Sequence, residues 1–295
     1  MACDDGSLHV GEILLGAWGM RSFISPVTVA SVIAVLVALV TAVRWLEPRF
    51  AFFPSAGEDR TPRDFGIEYE AVSIATRDGE QLRAWWLRHP SPKASILYFH
   101  GNGGNLSVWA PILSSIVHRG YEMLAFDYRG YGLSTGRPSE QGLYRDVDAV
   151  IDHFAKRASK GAPLVYWGRS LGVVMAAYAA TRGSSDGLIL ESGFPSTRAL
   201  LRDSLVMFLL SGASSYRFPA AQFLQRRGSN RPVLVLHGDH DRVVPIKQGW
   251  ALFETMSEPK QFVAIPGGDH NDATPADPVT YWQAVDRFVA DLRAR

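Results

Sequence analysis

Cysteine is nearly missing from this 295-residue chain: Cys3 is the only one. A single thiol excludes an intrachain disulfide framework and any thiolate metal cluster. Charge of either sign in excess is missing too, since 30 Lys and Arg face 29 Asp and Glu for a net charge of +1. There is no long Lys/Arg block, so the chain lacks the electrostatic footprint of a nucleic-acid binder. The glycine-rich stretch 101–104 has neither the Gly-Lys-Ser/Thr ending of a phosphate-binding loop nor Gly-x-Gly-x-x-Gly spacing. No internal repeat or low-complexity tract interrupts a composition that is 47% hydrophobic and 20% charged, ordinary for a packed globular protein.

One absence is local. Residues 23–43 (FISPVTVASVIAVLVALVTAV) contain no charge and have no polar face, and they are bounded by Arg21 and Arg44. A hydrocarbon core of about 30 Å needs roughly 20 apolar helical residues, whereas a secretory h-region runs to about 15 at most and ends in a small-residue cleavage site. The stretch therefore reads as a single transmembrane anchor, with a cleaved signal peptide or a buried core helix as weaker alternatives. Residues 1–22 form a flank without clear organisation, and Met20 is an alternative start. Arg44, Arg49, Arg60 and Arg63 outnumber Arg21, a weak positive-inside bias that leaves the facing of the C-terminal domain open. The aromatic-, proline- and arginine-bearing stretch 44–63 is expected to be a juxtamembrane linker, and the soluble domain is expected over 64–295.

In that domain β-rich runs at 68–73 and 81–87 flank an Asp78-Gly79 turn and predict an antiparallel hairpin. Apolar runs then recur at 96–99, 121–126, 164–167, 188–190, 233–236 and 261–265, with helical segments between most of them. This βαβ series predicts an α/β domain on a mostly parallel sheet. Amphipathic helices are expected at 142–160 and 278–292. The long connection 195–230, with its apolar run at 205–210 and with Phe218 and Phe223, is expected to be a lid or cap.

The chemistry starts at Gly168-Arg169-Ser170-Leu171-Gly172, which an apolar strand enters and a small-residue helix leaves. A Gly-x-Ser-x-Gly turn at such a junction lifts the serine hydroxyl clear of the sheet at a helix N-terminus. A serine nucleophile needs a base to take its proton, a carboxylate to orient the base and donors for the oxyanion. Two clusters at predicted strand ends supply acids and bases: 237–245, with His237, Asp239 and Asp241, and 267–272, with Asp269, His270 and Asp272. In an open α/β sheet such ends meet at one edge.

Together with Phe52-Phe53-Pro54-Ser55, His100-Gly101-Asn102-Gly103-Gly104-Asn105 and Asp127-Tyr128-Arg129-Gly130-Tyr131-Gly132, these motifs resemble the α/β-hydrolase family. Within it they are similar to the branch holding the yeast Bem46-like proteins and their mammalian relatives. The resemblance covers the chain from about Phe50 onward. It implies an α/β-hydrolase fold: a mostly parallel sheet flanked by helices with a small cap insertion, here preceded by the transmembrane helix. It implies Ser170 as nucleophile, His270 as base and then acid, and Asp241, three residues before Val244-Pro245, as the orienting carboxylate. His100 and His237 then become strand-end histidines, and Asp239, Asp269 and Asp272 turn or capping groups. The backbone N–H groups of Leu171 and Asn102 are the implied oxyanion donors, aligned donors of this kind being worth about 3 to 4 kcal/mol each. Asp127 to Gly130 is expected to be structural.

The chain departs from the pattern at Val173, where many members carry a second glycine. It also lacks the N-terminal cysteine cluster of the protein-depalmitoylating members, so their substrate does not transfer. The expected function is a membrane-anchored serine hydrolase that cleaves an ester or thioester of a small-molecule or acyl-bearing substrate. No cofactor, metal or nucleic acid is expected. A serine aminopeptidase-like amide hydrolase and a non-catalytic scaffold are the alternatives.

Overall fold

A computed structural model describes residues 25–294, apart from 204–207, 210, 213, 228–230 and 273. The chain divides into two compact units, 1–42 and 43–295. Helix α1 (Pro26–Ala51) supplies the described part of the first unit and the opening of the second. From Pro26 to Arg49 it is long and apolar enough to cross a membrane, and its apolar side chains, Val27 and Leu36 among them, are exposed. Residues 23 and 24 of the expected anchor lie outside the described residues.

After α1 come strand β1 (Phe53–Pro54), a 3-10 turn at Pro62–Phe65, β2 (Glu70–Ala75), β3 (Gln81–Leu87), β4 (Ser95–Phe99) and β5 (Gly103–Gly104). The order continues with α2 (Leu106–His118), β6 (Glu122–Phe126), α3 (Glu140–Arg157), β7 (Leu164–Arg169), α4 (Leu171–Arg182) and β8 (Gly187–Glu191). The insertion then holds α5 (Thr197–Leu200) and α6 (Ala220–Arg226). Strand β9 (Val233–Gly238), α7 (Ile246–Glu254), β10 (Lys260–Ile265) and α8 (Pro278–Arg293) complete the chain.

Eight strands form one sheet in the order β10-β9-β8-β7-β4-β6-β3-β2. Strands β2 and β3 make the expected antiparallel hairpin, β3 runs antiparallel to β6, and every remaining pair is parallel. Strands β4, β6, β8 and β9 are buried along their whole length because helices cover both faces; most positions carry apolar side chains, and the polar ones, Ser95, Glu122, Glu191 and His237, have hydrogen-bond partners. Alternation sorts those side chains between the faces. Trp86, Leu97, Phe99, Leu124, Phe126, Tyr166, Leu188 and Leu190 join α3 and α4 on one side. Trp85, Ile96, Tyr98, Met123, Val165, Trp167, Ile189 and Leu234 join α2 and α8 on the other.

Local signals set the helix starts. Asn105, Ser139 and Asp277 each accept a hydrogen bond from a first-turn amide of α2, α3 and α8, and Pro278 occupies the first position of α8. Buried Glu140 at the head of α3 reaches into the insertion. It accepts from the Arg217 and Phe218 amides at 2.6 and 2.9 Å and fixes the chain before α6. Of the expected apolar run 205–210, only Phe208 and Leu209 lie among the described residues.

The stretch 44–63 corrects the expectation of a linker. It is helical to Ala51, then pairs β1 in parallel with β5, bridges Ala56 to Gly132 and buries Phe52 against Tyr216 and Phe218. Proline and arginine disguise this segment, but Phe52 gives it apolar contacts and the partner glycines, Gly103 and Gly104, give it an open backbone to pair with.

The junction between β7 and α4 is tight enough to test. A methyl group at Gly172 would overlap the Phe99 carbonyl, and one at Gly168 would overlap the Gly172 backbone. Gly172→Ala is therefore expected to cost at least about 2 kcal/mol of stability, the range seen for overpacking against a rigid neighbour, read from the unfolding midpoint. An unchanged midpoint would show that the junction yields.

Candidate active site

Ser170 sits between the last residue of β7 and the first of α4 with φ of 55°, a region costly for a residue with a side chain. Two bonds hold the bend: the Ser170 amide donates to the Glu191 carbonyl at 2.8 Å, and the Val173 amide donates to the Ser170 carbonyl at 3.0 Å. The hydroxyl lies 2.9 Å from His270 Nε2, and His270 Nδ1 lies 2.8 Å from Asp241 Oδ2. Three residues spread over about a hundred positions thus meet in one line. A neutral imidazole whose Nδ1–H points at the carboxylate presents an unprotonated Nε2 to the hydroxyl, the tautomer needed to accept its proton.

Asp241 is held from every side. Its Oδ1 accepts from the Val243 and Val244 amides at 3.0 and 2.7 Å, and His237 Nε2 stands 3.5 Å from Oδ2. Burial by itself would raise this carboxyl. The bonds from His237 and His270, the charge of a protonated His270 ring and the Val244 amide outweigh burial and hold it well below the usual carboxylate range. It therefore remains an acceptor throughout the neutral range.

The competing groups have other work. Asp239 accepts from the Gly267 amide and pairs with His240. Asp269 accepts from the His270 amide at 2.7 Å and pairs with Arg242, while Asp272 accepts from the Asp269 amide. These two carboxylates shape the turn that carries His270. His237 is fully buried, with Nε2 2.7 Å from the Val244 carbonyl. His100 is buried beside Asp127, and its Nδ1 is 2.7 Å from the Gly101 carbonyl. Neither of these rings reaches Ser170.

Leu171 opens α4, so its N–H has no intrahelical acceptor. Among the described residues neither that amide nor the Asn102 amide donates to a carbonyl or side chain. The two lie on neighbouring segments, because Gly172 packs onto the Phe99 and His100 carbonyls at the end of β4. The segment 127–130 is structural, as expected. Asp127 accepts from the Leu106 amide at the start of α2, Tyr128 donates to the His100 carbonyl, and Arg129 bridges Asp146 and Asp78.

Two residues of the site escaped the sequence reading. Arg169, the buried last residue of β7, donates to the carbonyls of His270 and Asp272 at 2.9 and 2.8 Å and thereby ties the histidine turn to the strand that leads into Ser170. Its charge faces Glu191 at 3.5 Å, itself held by Tyr281 at 2.9 Å and Trp167 at 3.3 Å. The signal was there: two opposite charges each end an apolar strand, and a buried charge requires a partner.

The depressed Asp241 carboxyl predicts a pH dependence of stability. Its folded value lies below its unfolded one, so its contribution is complete at higher pH and is lost as pH falls toward the folded value. The stability difference between the wild type and Asp241→Asn is expected to be flat above about pH 5 and to shrink below about pH 4, where the unfolded carboxyl takes up its proton. A difference that grows on acidification would contradict this.

Residues 90–230 match the family described as serine aminopeptidase, S33. The chain is 32% identical over 255 residues to the protein bem46 of Schizosaccharomyces pombe, covering 81% of this chain and 83% of that protein. It is 31% identical over 242 residues to the membrane protein YNL320W of Saccharomyces cerevisiae, covering 78% of this chain and 83% of that one. Among solved structures, the Pyrococcus furiosus esterase Pf2001 superposes with a TM-score of 0.65 at 17% identity, over 82% of this chain and 98% of that one, a likeness of fold. With the strand order, the serine turn and these relatives in agreement, the chain belongs to the Bem46-like branch of the α/β-hydrolases, and it is a hydrolase.

Proposed function

We propose that the protein is a membrane-anchored serine hydrolase that cleaves an ester or thioester through an acyl-enzyme. The observation that carries this reading is the unbroken hydrogen-bonded line from Asp241 through His270 to the Ser170 hydroxyl, with 2.8 and 2.9 Å steps. In the first half-reaction Ser170 Oγ attacks the substrate carbonyl carbon while its proton passes to His270 Nε2. The carbonyl π electrons move onto oxygen, and the Leu171 and Asn102 amides receive the resulting oxyanion. Collapse of the tetrahedral adduct breaks the bond to the leaving group, which departs with the proton from Nε2. In the second half-reaction water adds to the acyl carbon, loses its proton to Nε2, and Ser170 leaves with that proton. Asp241 keeps its charge throughout and stabilises the imidazolium formed in each half-reaction.

The anchor reading is supported by the apolar length of Pro26–Arg49 and by a relative described as a membrane protein. Esters and thioesters are favoured by the apolar side chains that the insertion leaves half-buried or exposed, Phe208 and Leu209, which suit an acyl chain. The family description favours a second reading, hydrolysis of an aminoacyl amide. The two differ in how far departure depends on the Nε2 proton: an amine cannot leave until it has taken that proton, whereas a thiolate can break away first and take it up before water adds.

The wild type, in the membrane fraction after a carbonate wash, is expected to be labelled by a fluorophosphonate and to turn over p-nitrophenyl esters faster than aminoacyl amides. Ser170→Ala is expected to lose the label, and Ser170→Ala and His270→Ala to lose at least about 10³-fold in kcat, the scale of losing a nucleophile or its base. Retained labelling of Ser170→Ala would contradict the assignment. Faster turnover of the amides would favour the second reading.

A further inference from the structure

The loop that follows β4 carries Asn102 between Gly101 and the pair Gly103-Gly104, with Gly104 at φ of 82°. Glycines leave a backbone soft, so local sterics do not aim the Asn102 amide. Its aim is set from outside the loop. The Asn102 side chain donates from Nδ2 to the Ala51 carbonyl at 2.7 Å, the last residue of helix α1. Its Oδ1 and its backbone carbonyl both accept from the Tyr131 hydroxyl, each at 3.0 Å. One phenol thus holds the peptide and the side chain together, while the amide nitrogen satisfies a carbonyl that helix geometry leaves without an intrahelical donor.

Burial pushes the Tyr131 phenol up, so the hydroxyl keeps its proton and its role as donor. The chain that leaves α1 continues the hold. Phe53 and Pro54 pair with Gly103 and Gly104, the Ser55 amide donates to the Gly104 carbonyl at 2.9 Å, and Asn105 donates to the carbonyls of Ser55 and Gly57. One turn before Ala51, Glu47 accepts from the hydroxyls of Ser214 and Ser215 and from the amides of Ser215 and Tyr216 in the insertion. The end of α1 is therefore bolted to the loop and to the cap insertion.

We propose that the Asn102 side chain is a positioning residue, which uses the C-terminal carbonyl of the membrane-length helix and the Tyr131 hydroxyl to aim the Asn102 amide at the developing oxyanion. The inference rests on the reading of that amide as an oxyanion donor. A donor aimed in this way contributes more to the transition state than to the bound substrate, so loosening it lowers kcat and leaves KM in place. The last turn of α1, from Glu47 to Ala51, is then also part of the frame of the active site.

The test uses the full-length protein in detergent micelles, with p-nitrophenyl ester turnover and the unfolding midpoint measured for the wild type, Ser170→Ala, Asn102→Ala, Tyr131→Phe and the double variant. Asn102→Ala and Tyr131→Phe are each expected to lower kcat about 10- to 100-fold, part of the loss seen when one oxyanion donor is removed, with KM within about twofold. The double variant is expected to be no slower than the slower single variant, since both changes release the same amide. Tyr131→Phe keeps the buried ring and decides the matter if Asn102→Ala fails to fold. A kcat within about twofold of wild type in Tyr131→Phe, a loss seen in KM alone, or losses that multiply in the double variant would overturn the proposal. Turnover that survives Ser170→Ala would instead overturn the reading of the site itself.

Discussion

Everything in this molecule depends on how closely the first turn of α4 approaches the end of β4. Gly172 rests on the Phe99 and His100 carbonyls, Gly168 rests on Gly172, and only that contact lets the chain turn from strand to helix within the single residue Ser170. The cost of the positive φ is met by packing that no larger residue permits. The same contact sets the start of α4 beside the loop 101–105, so one steric constraint orients the hydroxyl and places the Leu171 and Asn102 amides, unpaired among the described residues, on neighbouring segments.

Around that bend the site is assembled from buried charges, each supplied with a partner. Arg169 pairs with Glu191 and grips the carbonyls of the turn bearing His270, and Asp241 gathers two valine amides and two histidine rings. Unpaired, any of these groups would cost several kcal/mol to bury. Paired, they act as rigid spacers between strands whose ends would otherwise be free to drift, and rigidity of this kind keeps a base within reach of a hydroxyl. The wider frame is polar too. Glu140 and Glu47 hold the insertion by its amides, and Asn102 and Tyr131 hold the glycine loop.

The legible features were those with a local period or a local motif. Buried parallel strands showed as apolar runs, and β4, β6, β7, β8 and β9 lie within one or two residues of where those runs stand. The serine turn showed because its geometry demands glycines at fixed offsets. Asp241 and His270 were legible as members of polar clusters at strand ends, but choosing them from among four aspartates and three histidines required a resemblance to a family, since spacing alone treats them alike. What stayed hidden was set by partners far away in the chain. The segment 44–63 has the composition of a linker, and it is ordered because Phe52 finds Tyr216 and because β1 finds β5 about fifty residues on. The role of Arg169 depends on a carbonyl about a hundred residues away, and that of the Asn102 side chain on the last carbonyl of α1. Neither contact leaves a trace in local sequence.

The central claim is that the aligned Ser170, His270 and Asp241 perform covalent catalysis. Its most direct test is acid quenching of the full-length protein within milliseconds of mixing with a p-nitrophenyl ester, followed by peptide mass spectrometry. The account predicts one acyl group on the peptide bearing Ser170, formed with a burst of nitrophenol and absent from Ser170→Ala. An acyl group on another residue, or turnover that proceeds with Ser170 never modified, would contradict it.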